Sequence, residues 1–315
     1  CIRDRTVRVL DNLLYNKDSL SKFAANERFS FIQGDVCDIN VQVESIKDID
    51  CVVFLAEIVG DPACQYVPQT ALKTNYLAVN SFATLCAHTN IHRFVYMSSC
   101  SVYGASTDPE ALLNEQSELN PVSIYARMKI NSERVLFNQL NPMFTPTILR
   151  LATVFGHSYR PRFDLVVNTF AKNAYLNKSI TVNGGDQWRP NVHVKDVAQA
   201  IIRVIDSPIN LVGKKVFNVG GESENHTIKS IAEFTKQVFP ECELTFNKAD
   251  IDLRNYKVDF SLINKSIGFK PKYSVSDGLS EIKNIFLEHS IPDIESIKHN
   301  NIRSIKEMGI QHYEY

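Results

Sequence analysis

Tyr125 and Lys129 stand four residues apart in YARMK. On a helix that spacing puts a phenol and an ammonium on one face. An ammonium beside a phenol favours the phenolate and lowers a pKa that is ordinarily about 10. The tyrosine could then remove a proton near neutral pH. Surface helices also carry such pairs by chance, and the spacing alone does not choose. A second cluster, SSCSVYG, ends a run of strand-forming residues, and its Ser99 lies 26 residues before Tyr125. That hydroxyl could bond the substrate oxygen whose proton the tyrosine takes, although a polar turn would use the same serines and glycine.

These groups need elements to hold them. Short β-branched runs alternate with helical patterns: TVRVL, FSFIQGD, CVVFLA, RFVYMSS and TPTILRLA are separated by helix-like stretches, among them a long amphipathic one from Tyr66 to Thr89. The alternation predicts parallel strands covered on both faces, a doubly wound α/β sheet. Ligands bind at the carboxyl ends of such strands. A carboxylate after the second strand, here Asp11, would accept hydrogen bonds from both ribose hydroxyls and repel a 2′-phosphate, which favours NAD over NADP. A turn or helix-capping aspartate is the alternative. Asp35, in the GDV that ends the next strand, would lie under the adenine. Past Gly156 the alternation loosens. The expected division is a cofactor domain over 6–155, rejoined by 192–220, and a smaller substrate lobe over 156–191 and 221–292. The polar tail, 293–315, is expected to be peripheral.

The totals bound the class. A chain of 315 residues, 44% hydrophobic and 22% charged, fits a soluble globular protein with a sizeable core. A formal charge of -1 and the absence of basic runs argue against a nucleic-acid partner. No apolar run approaches a membrane span of ~20 residues. The seven cysteines show no C-x-x-C spacing and read as reduced residues of a cytoplasmic protein, with no metal site expected.

Taken together, SSCSVYG, YARMK and RPNVHVKDVA resemble the NAD-dependent epimerase/dehydratase branch of the extended short-chain dehydrogenases/reductases, which act on nucleotide sugars. The resemblance runs from about Thr6 to about Phe286. It implies a Rossmann domain, NAD as cofactor and a nucleotide-diphosphate sugar as substrate. By that match Tyr125 is the general base, Lys129 its partner and the holder of the nicotinamide ribose, and Ser99 the hydroxyl residue on the sugar. Asp11 and Asn12 would bind the adenosine ribose, Asp35 and Val36 the adenine, and Leu55 and Ala56 the pyrophosphate and ribose. Asn75 counts among the cofactor-site residues as a helical asparagine that steadies the active-site backbone. Arg189 would clamp the diphosphate, with Arg254 as a second clamp. Thr153 stands where the 4-epimerases have a substrate-binding asparagine. Arg160 and Arg162 either meet phosphate or lie in a solvated loop.

Three departures matter. The related 4,6-dehydratases carry Asp-Glu after the hydroxyl residue, where this chain has Cys100-Ser101, which disfavours dehydration. Cys100 itself is either an acid/base at another sugar carbon or a small packed residue. Glu57 replaces a small residue and is expected either at the solvated cleft rim or on the sugar. The resemblance also implies a homodimer built on Tyr66–Thr89 and the helix at Tyr125, although Leu72, Leu77, Phe82 and Leu85 could simply be core. The reading is therefore a 4-epimerase working through a 4-keto sugar. A 4-keto-reductase, the disfavoured 4,6-dehydratase and a non-catalytic dinucleotide binder are the alternatives.

The first glycine is Gly34. No glycine-rich turn precedes Asp11, where a dinucleotide site uses one about 20 residues upstream. The expectation is that the sequence starts inside a longer reading frame, lacking the first strand, that turn and most of the first helix, with residues 1–5 either foreign or its broken edge. As it stands it would expose a central strand edge and bind NAD poorly.

Overall fold

A computed structural model of the chain describes residues 4–15, 18–106, 108, 110–248 and 254–310. The apolar runs become strands. β1 (Val7–Asp11) and β2 (Phe29–Gln33) form a parallel pair, with Val7 opposite Phe29 and Asp11 opposite Gln33. Then come α1 (Ile39–Ser45), β3 (Cys51–Phe54) and α2 (Asp61–Tyr66). Pro68–Leu72, a π turn over Lys73–Leu77 and α3 (Ala78–Ala87) follow as one helical stretch. β4 (Arg93–Ser99), α4 (Ile124–Phe137) and β5 (Thr145–Leu151) complete the first half.

Beyond Leu151 the strands shorten. β6 (Thr153–Phe155), α5 (Val166–Asn177), β7 (Ser179–Asn183), β8 (Trp188–His193) and α6 (Val194–Asp206) lead to β9 (Lys215–Val219). β9 returns to the first half and completes a parallel sheet in the order β9-β5-β4-β3. This is the doubly wound α/β sheet, and β4 and β5, covered on both faces, are buried along nearly their whole length. The β1–β2 pair is a separate sheet among the described residues. Leu10 and Val36 pack it into the same apolar cluster as Phe54, Phe82 and Phe94.

The remaining elements are β10 (Asn225–Thr227), α7 (Ile228–Val238), β11 (Glu243–Asn247), α8 (Val275–Leu287) and α9 (Asn301–Glu307). β10, β8 and β6 form one small sheet, and β11 pairs with β7. α5, α7 and α8 close over a second core of Phe155, Phe170, Ile231, Leu279 and Phe286. The described part of the tail departs from expectation and is not peripheral. Ile305 of α9 is fully buried, and it packs with Ile58, Ala63, Cys64 and Tyr125. The polar composition of the tail conceals apolar residues that anchor it, Ile305 and Ile310 in this cluster and Ile294 against the second core.

Candidate active site

The carboxyl end of β4 sets the site. Ser99, its last residue, caps a single 3-10 turn over Cys100–Tyr103, its Oγ accepting from the Ser101 amide at 3.1 Å. Gly104 ends the turn with φ +63°, and a Cβ there would lie 1.7 Å from the Asn120 carbonyl oxygen. Only glycine permits that approach, which brings the segment before α4 against the strand end. Ser123 then caps α4, its Oγ accepting from the Ala126 amide at 3.2 Å. Tyr125 and Lys129 therefore occupy the first turns of α4, both buried.

Lys129 Nζ donates to the Met97 carbonyl and pairs with the Glu57 carboxylate. The Tyr96 hydroxyl donates to the other Glu57 oxygen at 2.7 Å. Glu57 thus lies neither at a solvated rim nor on a substrate surface, because its side chain is only 4% exposed. Burial pushes its carboxyl up, opposed by the lysine. The expected lowering of the Tyr125 phenol is reversed: burial pushes it well above 10, and Glu57 pushes the same way. A desolvated phenolate is costly, and the lysine whose charge would offset that cost is already paired with a carboxylate. Tyr96 was not legible as a site residue; the unusual acid at Glu57 was the available signal.

The expected cofactor residues line the neighbouring strand ends. Asp11 and Asn12 are exposed after β1, their side chains accepting from the Leu13 and Leu14 amides at 2.6 and 3.0 Å. Asp35 is exposed after β2 and accepts from the Cys37 amide at 2.8 Å. Val36 turns inward instead: its side chain is in the core and its carbonyl accepts from Gln42. Leu55, 62% exposed, and the half-buried Ala56 follow β3. Two carboxylates and an uncovered apolar side chain at three consecutive strand ends fit an adenosine and its ribose. Asn75 is corrected. It is fully buried in the π turn, and its amide accepts from the Ile58 N–H and donates to the Ile58 carbonyl, both at 2.8 Å. It steadies the loop after β3 and presents nothing to a cofactor.

The residues expected to meet a substrate include several arginines. Arg189, buried on β8, donates to the Arg254 carbonyl. Arg254 in turn pairs with Asp61 at 3.1 Å. Asp61 was also missed from the sequence; its other oxygen is buried without a hydrogen-bond partner. Thr153 is half-buried at the start of β6, opposite Asn191 of β8. Arg162 forks onto Asp164, and Arg160 stacks on Tyr15 and donates to Asn301. Neither belongs to a solvated loop. Cys100 is buried, donates to the Arg150 carbonyl at 3.3 Å and has its thiol pushed far up by burial, so it is the packed residue and not an acid.

The sequence pattern of the NAD dependent epimerase/dehydratase family matches residues 3–220. An uncharacterized protein of Methanocaldococcus jannaschii is 30% identical over 300 residues, 91% of this chain and 89% of its own. An uncharacterized UDP-glucose epimerase of Bacillus subtilis is 26% identical, covering 83% and 82%. The solved UDP-glucuronic acid 4-epimerase of Bacillus cereus, in complex with UDP-glucuronic acid and NAD, superimposes with a TM-score of 0.79 at 23% identity over 90% of this chain and 91% of that one. With this match over most of its length, and with the tyrosine–lysine pair at the strand ends, the chain belongs to the NAD dependent epimerase/dehydratase family.

Proposed function

We propose that the protein is an NAD-dependent nucleotide-sugar 4-epimerase of carbohydrate biosynthesis. The observation that carries the reading is at the carboxyl end of β4, where Ser99 ends the strand and Lys129, one turn after Tyr125 on α4, bonds the Met97 carbonyl, beside strand ends that fit an adenosine. Ser99 holds the sugar hydroxyl, and Tyr125 takes its proton at the phenolic oxygen and later returns it. NAD, when bound, accepts and returns the hydride at the adjacent carbon. Asp11, Asn12 and Asp35 hold its adenosine, Leu55 and Ala56 line its pyrophosphate, and Lys129 holds its nicotinamide ribose. Arg189 and Arg254 take the substrate diphosphate. Thr153 and the lobe over 156–191 and 221–292 face the sugar. A keto sugar must turn over inside the cleft before reduction on its other face. The buried, unreactive Cys100 disfavours the dehydratase alternative.

A second copy of the chain is the proposed partner, packed through the Pro68–Ala87 stretch and α4. Leu72 and Leu77 are about half exposed there, whereas Phe82 belongs to the core. The cytoplasm is the proposed location.

The test supplies purified protein with NAD and UDP-, dTDP- or GDP-sugars and follows the sugar by NMR. Inversion at C4 without net NADH use is expected. Tyr125→Phe should slow it roughly 100- to 10,000-fold, the contribution of a positioned base, while cofactor binding persists. Stoichiometric consumption of NADH with a keto sugar would instead establish a reductase. No turnover by parent protein that is shown to bind NAD would overturn the enzymatic reading.

A further inference from the structure

Glu57 is an acidic group the proposed mechanism does not use, and its carboxylate pairs with the site's own lysine. Its two oxygens have separate partners on separate elements: Lys129 of α4 on one, and Tyr96 of β4 on the other. The lysine head also lies 4.8 Å from the Tyr96 ring centroid and 5.5 Å from that of Tyr125. One carboxylate therefore governs both the placement and the net charge of the group beside the base.

Taking the Tyr125–Lys129 pair of the proposed function as given, we propose that Glu57 is its positioning residue. Fixed by Tyr96, its carboxylate neutralises Lys129 and keeps Tyr125 a protonated phenol in the cofactor-free protein. The lysine then places hydrogen bonds more than it stabilises a phenolate. The other charged or titratable groups around the phenol are Cys64 and Asp61 of α2, which disfavour the phenolate, and Arg162 of the loop before α5, which favours it. Glu57 disfavours the phenolate too, in the same direction as burial. Electrostatic reach is long in a dry site and short in water, and both partners of this pair are almost fully buried.

The experiment is a tyrosinate titration by NMR on 13C-tyrosine-labelled, cofactor-free protein, with the Tyr125 signal assigned through Tyr125→Phe. In Glu57→Gln the uncompensated ammonium should bring the Tyr125 titration down by at least about one pH unit. Tyr96→Phe, which keeps the carboxylate, should not lower it. Coincident titration of parent and Glu57→Gln, including no titration below about pH 11 in either, overturns the proposal. So does an equal drop in Tyr96→Phe. Losing one partner of a buried pair is destabilising, and Glu57→Gln could fail to fold. The Glu57→Gln/Lys129→Gln double variant then decides: Tyr125 titrating as in the parent supports cancellation, and titration above the parent refutes it. No sugar or cofactor enters the measurement. A protein without nucleotide-sugar turnover can thus still satisfy it, and a working 4-epimerase can still fail it.

Discussion

At the scale of single residues, the site divides into groups that would touch ligands and groups that hold them. Asn75 belongs to the second kind. Its amide occupies both the N–H and the C=O of Ile58, so truncation leaves two buried backbone groups without partners. Asn75→Ala should cost about 2–6 kcal/mol, since each of the two orphaned groups costs about 1–3, read as a drop in the midpoint of denaturant unfolding. A loss below about 1 kcal/mol would mean that the loop finds other partners. Tyr125, Lys129 and Ser99 were legible because their chemistry shows in residue type and short spacing. Tyr96 and Asp61 were not. An aromatic residue in a strand of near-continuous apolar character reads as core, and the partner that gives it a role lies 39 residues away. Asp61 gains meaning only through Arg254, from the far end of the chain. The lysine–phenol effect misled for the same reason: the spacing of Tyr125 and Lys129 was visible, whereas the carboxylate that cancels it was placed by the fold.

At the scale of elements, two short devices aim α4 at the end of β4: the glycine turn and the serine cap. Their strengths differ. Ser123→Ala removes one capping bond, worth about 1 kcal/mol. Gly104→Ala forces a left-handed backbone conformation on a side chain and drives its Cβ into the Asn120 carbonyl. Unfolding titrations should therefore rank Gly104→Ala well below Ser123→Ala in stability. Equal losses would show that the 120–121 segment yields without cost and does not set the position of Tyr125. The long strands and helices were legible from periodicity, since a buried parallel strand and an amphipathic helix each repeat their pattern. β6 and β10, three residues apiece, have no room for a pattern. The π turn holding Asn75 was equally hidden, because one extra residue per turn barely disturbs a helical spacing.

At the scale of the molecule, the tail ties the two halves of the cleft together. Asn301, at the start of α9, donates to the Val59 carbonyl in the loop after β3 and accepts from Arg160 in the loop between β6 and α5. One turn earlier, His299 is buried against Phe163, with Nδ1 3.0 Å from the Pro161 carbonyl and Nε2 without a hydrogen-bond partner. That geometry suits the neutral ring, with Nδ1 donating. A second proton would charge a buried ring, and burial holds the His299 pKa below its ordinary value, outweighing the Pro161 and Asp293 carbonyls that favour the proton. The unfolded chain then binds the proton more readily than the folded one, so the stability His299 contributes is present above about pH 6.5 and lost as the pH falls through its folded value. His157 is lowered by burial too, and acid-side stability falls for both reasons. His299→Gln isolates one of them, because every other titrating group is shared with the parent. Between about pH 7.5 and about pH 5.5 the parent should lose more unfolding free energy than the variant, shrinking or inverting the gap between them. Parallel losses would mean that α9 lifts away on acidification before His299 takes its proton, and that the tail is a looser tie between the halves than its buried Ile305 indicates.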